Sequence, residues 1–114
     1  MRQKHWMVIV LATVALVGAA SQACAADPKE IPVTIENHTF APDEIKVKAG
    51  EPFVLVVNNK DKTPEELESK VLKIEKVIPP GQTMKIRVRS LKPGTYPFVG
   101  EFHEATAKGR IVAE

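Results

Sequence analysis

The 114-residue sequence predicts an all-β fold, a Greek-key β-sandwich of about seven to eight strands. Three observations carry that expectation. Short apolar runs alternate with polar residues at period two, the mark of strands with one buried face. Turn chemistry (Gly, Pro, Asn, Asp) separates these runs at regular spacing. The one helix-like stretch of the domain, after Pro64, carries only a broken helical face, and neither an internal repeat nor a low-complexity tract is visible.

The first segment is read as a leader. Arg2, Lys4 and His5 form a positive n-region, Trp6 to Ala20 an almost unbroken apolar run, and Ala23-Cys24-Ala25 offers the small residues that signal peptidase accepts. Residues 1–25 are therefore expected to be a signal peptide cleaved after Ala25, and 26–114 the working domain. An uncleaved anchor is the alternative, although the run falls short of the ~20 residues a bilayer span prefers. A lipoprotein is a third, but Ser21-Gln22-Ala23-Cys24 lacks a large aliphatic residue three places before the cysteine. The expected location is the periplasm, with no membrane span in the mature form.

Charge and cysteine content narrow the chemistry. The chain has 16 Lys+Arg against 14 Asp+Glu, and since Arg2 and Lys4 lie in the leader, 26–114 balances at 14 against 14. Without a basic run interleaved with aromatics, nucleic acid is not an expected partner. Cys24 is the only cysteine and would leave with the leader, so the domain has no disulfide, no thiolate nucleophile and no thiolate metal site.

Along the domain, Asp27–Glu30 reads as a loose polar tail, after which Ile31, Val33 and Ile35 alternate with Pro32, Thr34 and Glu36 as a first strand. Ile45 and Val47 make a second, stopped by Ala49-Gly50. Phe53–Val57 is continuously apolar and reads as a central strand covered on both faces, followed by the turn residues 58–61. Thr63-Pro64 with the charged stretch to Lys76 resembles a capped helix, yet Leu67, Val71, Leu72 and Ile74 make only a broken helical face. A short strand through Leu67, an irregular or single-turn stretch from Lys70 to Ile74 and a short strand near Val77 are expected instead. Met84, Ile86 and Val88 alternate with Lys85, Arg87 and Arg89 in the cleanest strand of the chain, with Met84 facing the core. Leu91 to Tyr96 suggests a tyrosine corner. A strand from Tyr96 runs into Gly100–Glu104, and Arg110–Val112 is the last.

Phe40 to Gly50, the apolar strand into Asn58-Asn59, Pro79-Pro80-Gly81, and Lys92 to Phe98 followed by His103 resemble the cupredoxins over nearly all of the domain. Such domains hold blue copper through two His, one Cys and a weak axial Met. By that resemblance Glu65 stands where the first His would be, Gly100 where the Cys would be and His103 at the second His, while Glu104 to Lys108 holds no Met. The blue-copper ligands are thus largely lost. Asn37 to Phe40, Thr63 to Ser69, Glu75 to Gly81 and Gly100 to Gly109 are similar to the periplasmic cupredoxin-like proteins of bacterial ferrous-iron transport. That similarity implies an accessory protein of iron uptake, binding a copper or iron ion beside an iron permease or a periplasmic iron-binding protein.

Imidazole and carboxylate together suit Fe(II), Fe(III), Cu(II) or Zn(II) and disfavour Cu(I). The candidate metal ligands are His103, Glu65, His38, Glu66, Glu68, Glu101 and Glu104. Glu65 is expected at the buried end of the site. Glu66 and Glu68, two residues apart, share an outer face while Leu67 points inward. Glu101 and Glu104 flank His103 as ligands or as groups that orient it. Each has an ordinary role as well: a loop histidine, a turn residue beside Asn37, a solvated acidic face. Two other function classes stay open, a metal-free degenerate cupredoxin acting as an interaction module and a small ferroxidase; homodimerisation is open too. Hydrolytic catalysis is not expected, since neither Gly-x-Ser-x-Gly nor His-Glu-x-x-His occurs.

Overall fold

A computed structural model describes residues 27–114. The expected signal peptide and its cleavage point lie outside the described residues. Within them nine strands form a sandwich of two mixed sheets, with a single 3-10 turn and no α-helix. No helix there is long and apolar enough to cross a membrane.

The strands are β1 (Lys29–Glu36), β2 (Thr39–Ala41), β3 (Glu44–Val47), β4 (Phe53–Asn59), β5 (Glu65–Ser69), β6 (Ile74–Ile78), β7 (Thr83–Val88), β8 (Gly94–Gly100) and β9 (Lys108–Ala113). One sheet runs β2-β1-β4-β7 and the other β3-β9-β8-β5-β6. Their inner faces supply the core: Val33 and Ile35 from β1, Leu55 and Val57 from β4, Leu67 from β5, Ile86 and Val88 from β7, Phe98 from β8 and Ile111 from β9. This is the period-two pattern of the sequence turned into packing. Phe40 meets Phe98 edge-on across the core, with ring centroids 4.9 Å apart.

The differences from expectation have local causes. The short β2 appears because Asn37 and His38 both take positive φ, 54° and 58°, which makes a two-residue hairpin turn whose twist suits the flanking strands. It returns the chain to pair Thr39 with Glu36. β1 begins two residues earlier than the tail boundary placed it, because Lys29 and Glu30 already pair in parallel with Phe53 and Val54. β8 ends at a 3-10 turn, Glu101–His103, instead of running on as β-structure.

Other expectations hold. The stretch after Pro64 is strand, four-residue turn and strand, with Glu65 to Ser69 registered against Ile78 to Ile74. Met84 packs against the core. The tyrosine corner is present, Tyr96 donating its hydroxyl hydrogen to the Lys92 carbonyl at 2.7 Å.

Candidate metal centre

Strand parity dictates how the acidic segment divides. Glu65, Leu67 and Ser69 point into the sandwich, so Glu65 lies 1% exposed at the end of the core. A carboxylate there needs donors. Its Oε1 accepts the backbone N–H groups of Phe102 at 3.0 Å and of Glu66 at 3.1 Å, and its Oε2 lies 2.6 Å from His103 Nδ1. The 3-10 turn after β8 aims the Phe102 amide and the His103 ring at the same carboxylate.

Space for that carboxylate comes from Gly100. A β-carbon built on Gly100 would stand 2.6 Å from Glu65 Cδ and 2.6 Å from Ala107 Cβ. Since Gly100 has ordinary extended backbone (φ −87°, ψ 105°), its small size is a steric need and not a conformational one. The Glu65 side chain fills the room a residue at position 100 would take.

His38 arrives from the β1–β2 turn. Its ring stacks on that of His103 with centroids 3.6 Å apart and planes at 14°. The turn is held by Asp61, whose Oδ1 accepts the Asn37 N–H at 2.8 Å and whose Oδ2 accepts the His38 N–H at 3.0 Å. Those bonds, the His38 amide first, hold the Asp61 carboxyl below its ordinary range against the opposing effect of burial. Asp61 is itself placed by Asn59, fully buried, whose Oδ1 accepts the Asp61 N–H while its Nδ2 donates to the carbonyls of Thr63 and Ile78.

His38, Glu65 and His103 each offer one ligand atom, all within 4.8 Å of one another. Metal–nitrogen and metal–oxygen bonds of about 2.0–2.2 Å bring such atoms to a common ion with little movement. His38 Nδ1 is buried, lies 3.5 Å from Asp61 Oδ2 without hydrogen-bond geometry, and has no other partner among the described residues. A buried imidazole nitrogen left over in this way is what a ligand atom looks like before it coordinates. The donor set, two imidazoles and a carboxylate, fits a borderline divalent or trivalent metal.

The outer face of β5 holds a second group. Glu66, Glu68 and Glu101 bring carboxylate oxygens within 4.8 Å of one another. Glu75 stands opposite Glu68 on β6. Proton sharing with Glu75, then burial, then Glu101 push Glu66 up to about 7. Glu101 is the main cause of an upward shift at Glu68. Glu66 and Glu68 thus stand in a second group, on the face of β5 opposite Glu65. Glu104 is exposed and joins neither group.

Two participants were missing from the sequence reading. Asp61 lay within a segment read only as turn chemistry. Glu75 joins the acidic group through the β5–β6 register, which a sequence without known pairing does not display.

The comparisons with known proteins bear on the fold more than on this chemistry. The chain is 39% identical over 83 residues to the uncharacterised protein RP394 of Rickettsia prowazekii (strain Madrid E), a match covering 73% of this chain and 66% of that one, so it spans just under two thirds of that relative's length. Among solved structures it is similar to auracyanin A, a "blue" copper protein of Chloroflexus aurantiacus, with TM-score 0.66 and 14% identity over 76% of this chain and 99% of that one. It is also similar to the metal-binding domain of the Cu(I)-exporting P-type ATPase CopA of Streptococcus pneumoniae D39, with TM-score 0.64 and 17% identity over 75% and 84%. At such identities these likenesses establish the fold alone. The model of the cupredoxin-like domain family matches residues 7–113, nearly the whole chain, and the chain belongs to that family.

Proposed function

We propose that this is an exported metal-binding accessory protein of iron uptake, holding iron or copper at His38, Glu65 and His103 without a blue-copper centre. The observation that carries the reading is the convergence of two histidines on a carboxylate that is 1% exposed, with His38 Nδ1 buried and unpartnered. Burial of a carboxylate is costly, and a cation beside it offsets that cost. The absence of any cysteine after Cys24 leaves no thiolate to produce a blue site. The metal, when bound, would supply one-electron chemistry or be handed on as cargo. The chain's own residues orient it: Asp61 sets the His38 backbone and the Phe102 amide sets Glu65. The leader pattern supports delivery to the periplasm, and the similarity to ferrous-iron transport proteins supports an iron permease or a periplasmic iron-binding protein as partner. Glu66, Glu68 and Glu101 are proposed to attract cations toward the same end of the sandwich, Glu104 contributing only charge.

A second reading has one observation behind it. Three hydrogen bonds already satisfy Glu65, so the network could stand without metal in a domain that serves as an interaction module. Calorimetric titration of the chain with Cu(II) and, anaerobically, with Fe(II) separates the two. The first reading expects binding that weakens on acidification, because only neutral imidazole coordinates, and no strong band near about 600 nm. His103→Ala should remove most affinity, and Glu65→Gln should cost at least ~1 kcal/mol through loss of a charged ligand. Absence of binding, or variants that bind like the parent, would return the site to a structural network. Oxygen-consuming turnover of Fe(II) would instead support a ferroxidase.

A further inference from the structure

At the side of the sandwich where the two sheets end, β6 and β7 are the terminal strands of their sheets, and each leaves one edge unpaired. The two edges bound an open groove of about 630 Å³. Its rim is basic: Lys73 and Lys76 on one side, Lys85, Arg87 and Arg89 on the other, against a single acid, Glu75. Because residues 27–114 carry as many acids as bases, five cations here represent segregation of charge and not an excess of it. Among the described residues only Lys85 of the five reaches a carboxylate, that of Glu30 at 2.8 Å, on the exposed surface. Arg89 donates to the Leu72 carbonyl at 3.4 Å, tying the end of β7 to the β5–β6 turn.

The cations here are ordered. Lys85 and Arg87 alternate on the exposed face of β7 and Arg89 follows just past its end, while Ile86 and Val88 between them point inward, 2% and 3% exposed at the base of the groove. Lysines on an edge strand commonly serve to repel other strands. The pleat of a half-buried strand sets the period-two spacing of these charges; what the edge adds is the free backbone N–H and C=O groups beside them, and the two together present a template for one kind of strand.

We infer that the free edge of β7 docks an extended segment of a partner protein in which acidic residues alternate with apolar ones. Such a segment adds a strand to the β2-β1-β4-β7 sheet. Its acids at i, i+2 and i+4 lie opposite Lys85, Arg87 and Arg89, about 6.6–7 Å apart along the strand. Its apolar residues face Ile86 and Val88, and backbone hydrogen bonds to β7 supply sequence-independent affinity. A membrane surface carries complementary charge as well, but it cannot enter a groove or use strand edges. A second copy would present the same cations and be repelled. The inference does not depend on the metal site.

The test uses the full chain and two labelled peptides of identical composition, one alternating glutamate and valine over the length of β7, the other with glutamates and valines in separate blocks. Fluorescence anisotropy should show the alternating peptide binding at least about tenfold more tightly, with affinity falling as salt rises. Arg87→Glu, an exposed change that leaves the core untouched, should lower that affinity by about tenfold or more, and amide resonances of Thr83 to Val88 should shift on peptide addition. Equal binding of the two peptides, insensitivity to Arg87→Glu, no peptide binding, or capture only by phosphatidylglycerol vesicles would each overturn the inference.

Discussion

Replacing Gly100 by alanine should damage this protein more than a single methyl group normally does. The new β-carbon would lie 2.6 Å from the Ala107 methyl, 2.6 Å from Glu65 Cδ and 2.7 Å from its Oε1, roughly 1 Å inside normal contact on two sides. Neither neighbour gives way easily. Ala107 is fully buried and its carbonyl accepts the Gly100 N–H, so its methyl moves only with the β8–β9 connection. Glu65 can retreat only by stretching its bond from the Phe102 amide. Overpacking costs about 1–3 kcal/mol and loss of a hydrogen bond to a charged group about 1.5–3 kcal/mol, so the sum is roughly 3–5 kcal/mol. In a domain of this size that lowers the melting temperature by roughly 15 °C or more. Urea denaturation followed by far-UV circular dichroism measures it. The double variant Gly100→Ala with Glu65→Ala removes the carboxylate half of the clash, so its loss should fall short of the sum of the single losses by at least ~1 kcal/mol. A single-variant cost below about 1 kcal/mol, or strict additivity, would refute the claim that Glu65 occupies the space of a side chain at position 100.

Asp61→Ala removes the acceptor of two turn amides and should cost about 1–2 kcal/mol while broadening the His38 resonances in NMR spectra. Because Asp61 titrates below its ordinary 3.8, its contribution is complete above that value and disappears as pH falls through the lower folded value, which a series of urea midpoints from neutral into acid would display. Glu66 behaves oppositely: its folded value of about 7 lies above the ordinary 4.5, so the parent loses stability between those values as pH rises. Glu66→Gln should therefore flatten the stability profile across that window, and an unchanged slope would count against the acidic group. Tyr96→Phe should cost about 1 kcal/mol, since the hydroxyl's bond to Lys92 is single and exposed.

The sequence made some of this legible for plain reasons. β7 could be read because Ile86 and Val88 face the core between three cations, and parity leaves no other arrangement for that pattern. Parity also separates Glu65 from Glu66 and Glu68, because it follows from counting along one strand. β2 was illegible: three residues do not establish a period, and it depends on two consecutive left-handed residues. The meeting of His38 with His103 joins the first hairpin turn to the turn after β8, and only the family resemblance suggested it. Asp61 acts through backbone amides 23 and 24 residues away, a relation with no signature in side-chain spacing.

The pairing of β3 with β9 has a consequence for when the chain can fold. Glu44 aligns with Arg110 and Val47 with Ala113, so a strand from the first half of the chain waits for the final residues before it has a neighbour. β9 also borders β8, which makes it the internal strand through which β3 joins its sheet. Pairings this distant in sequence close late, after much loop entropy has been lost. A chain still being synthesised therefore holds β3 without its sheet neighbour until residues 110–113 have been made. On the proposed export route through a translocation pore, this delay would keep the polypeptide threadable until it arrives.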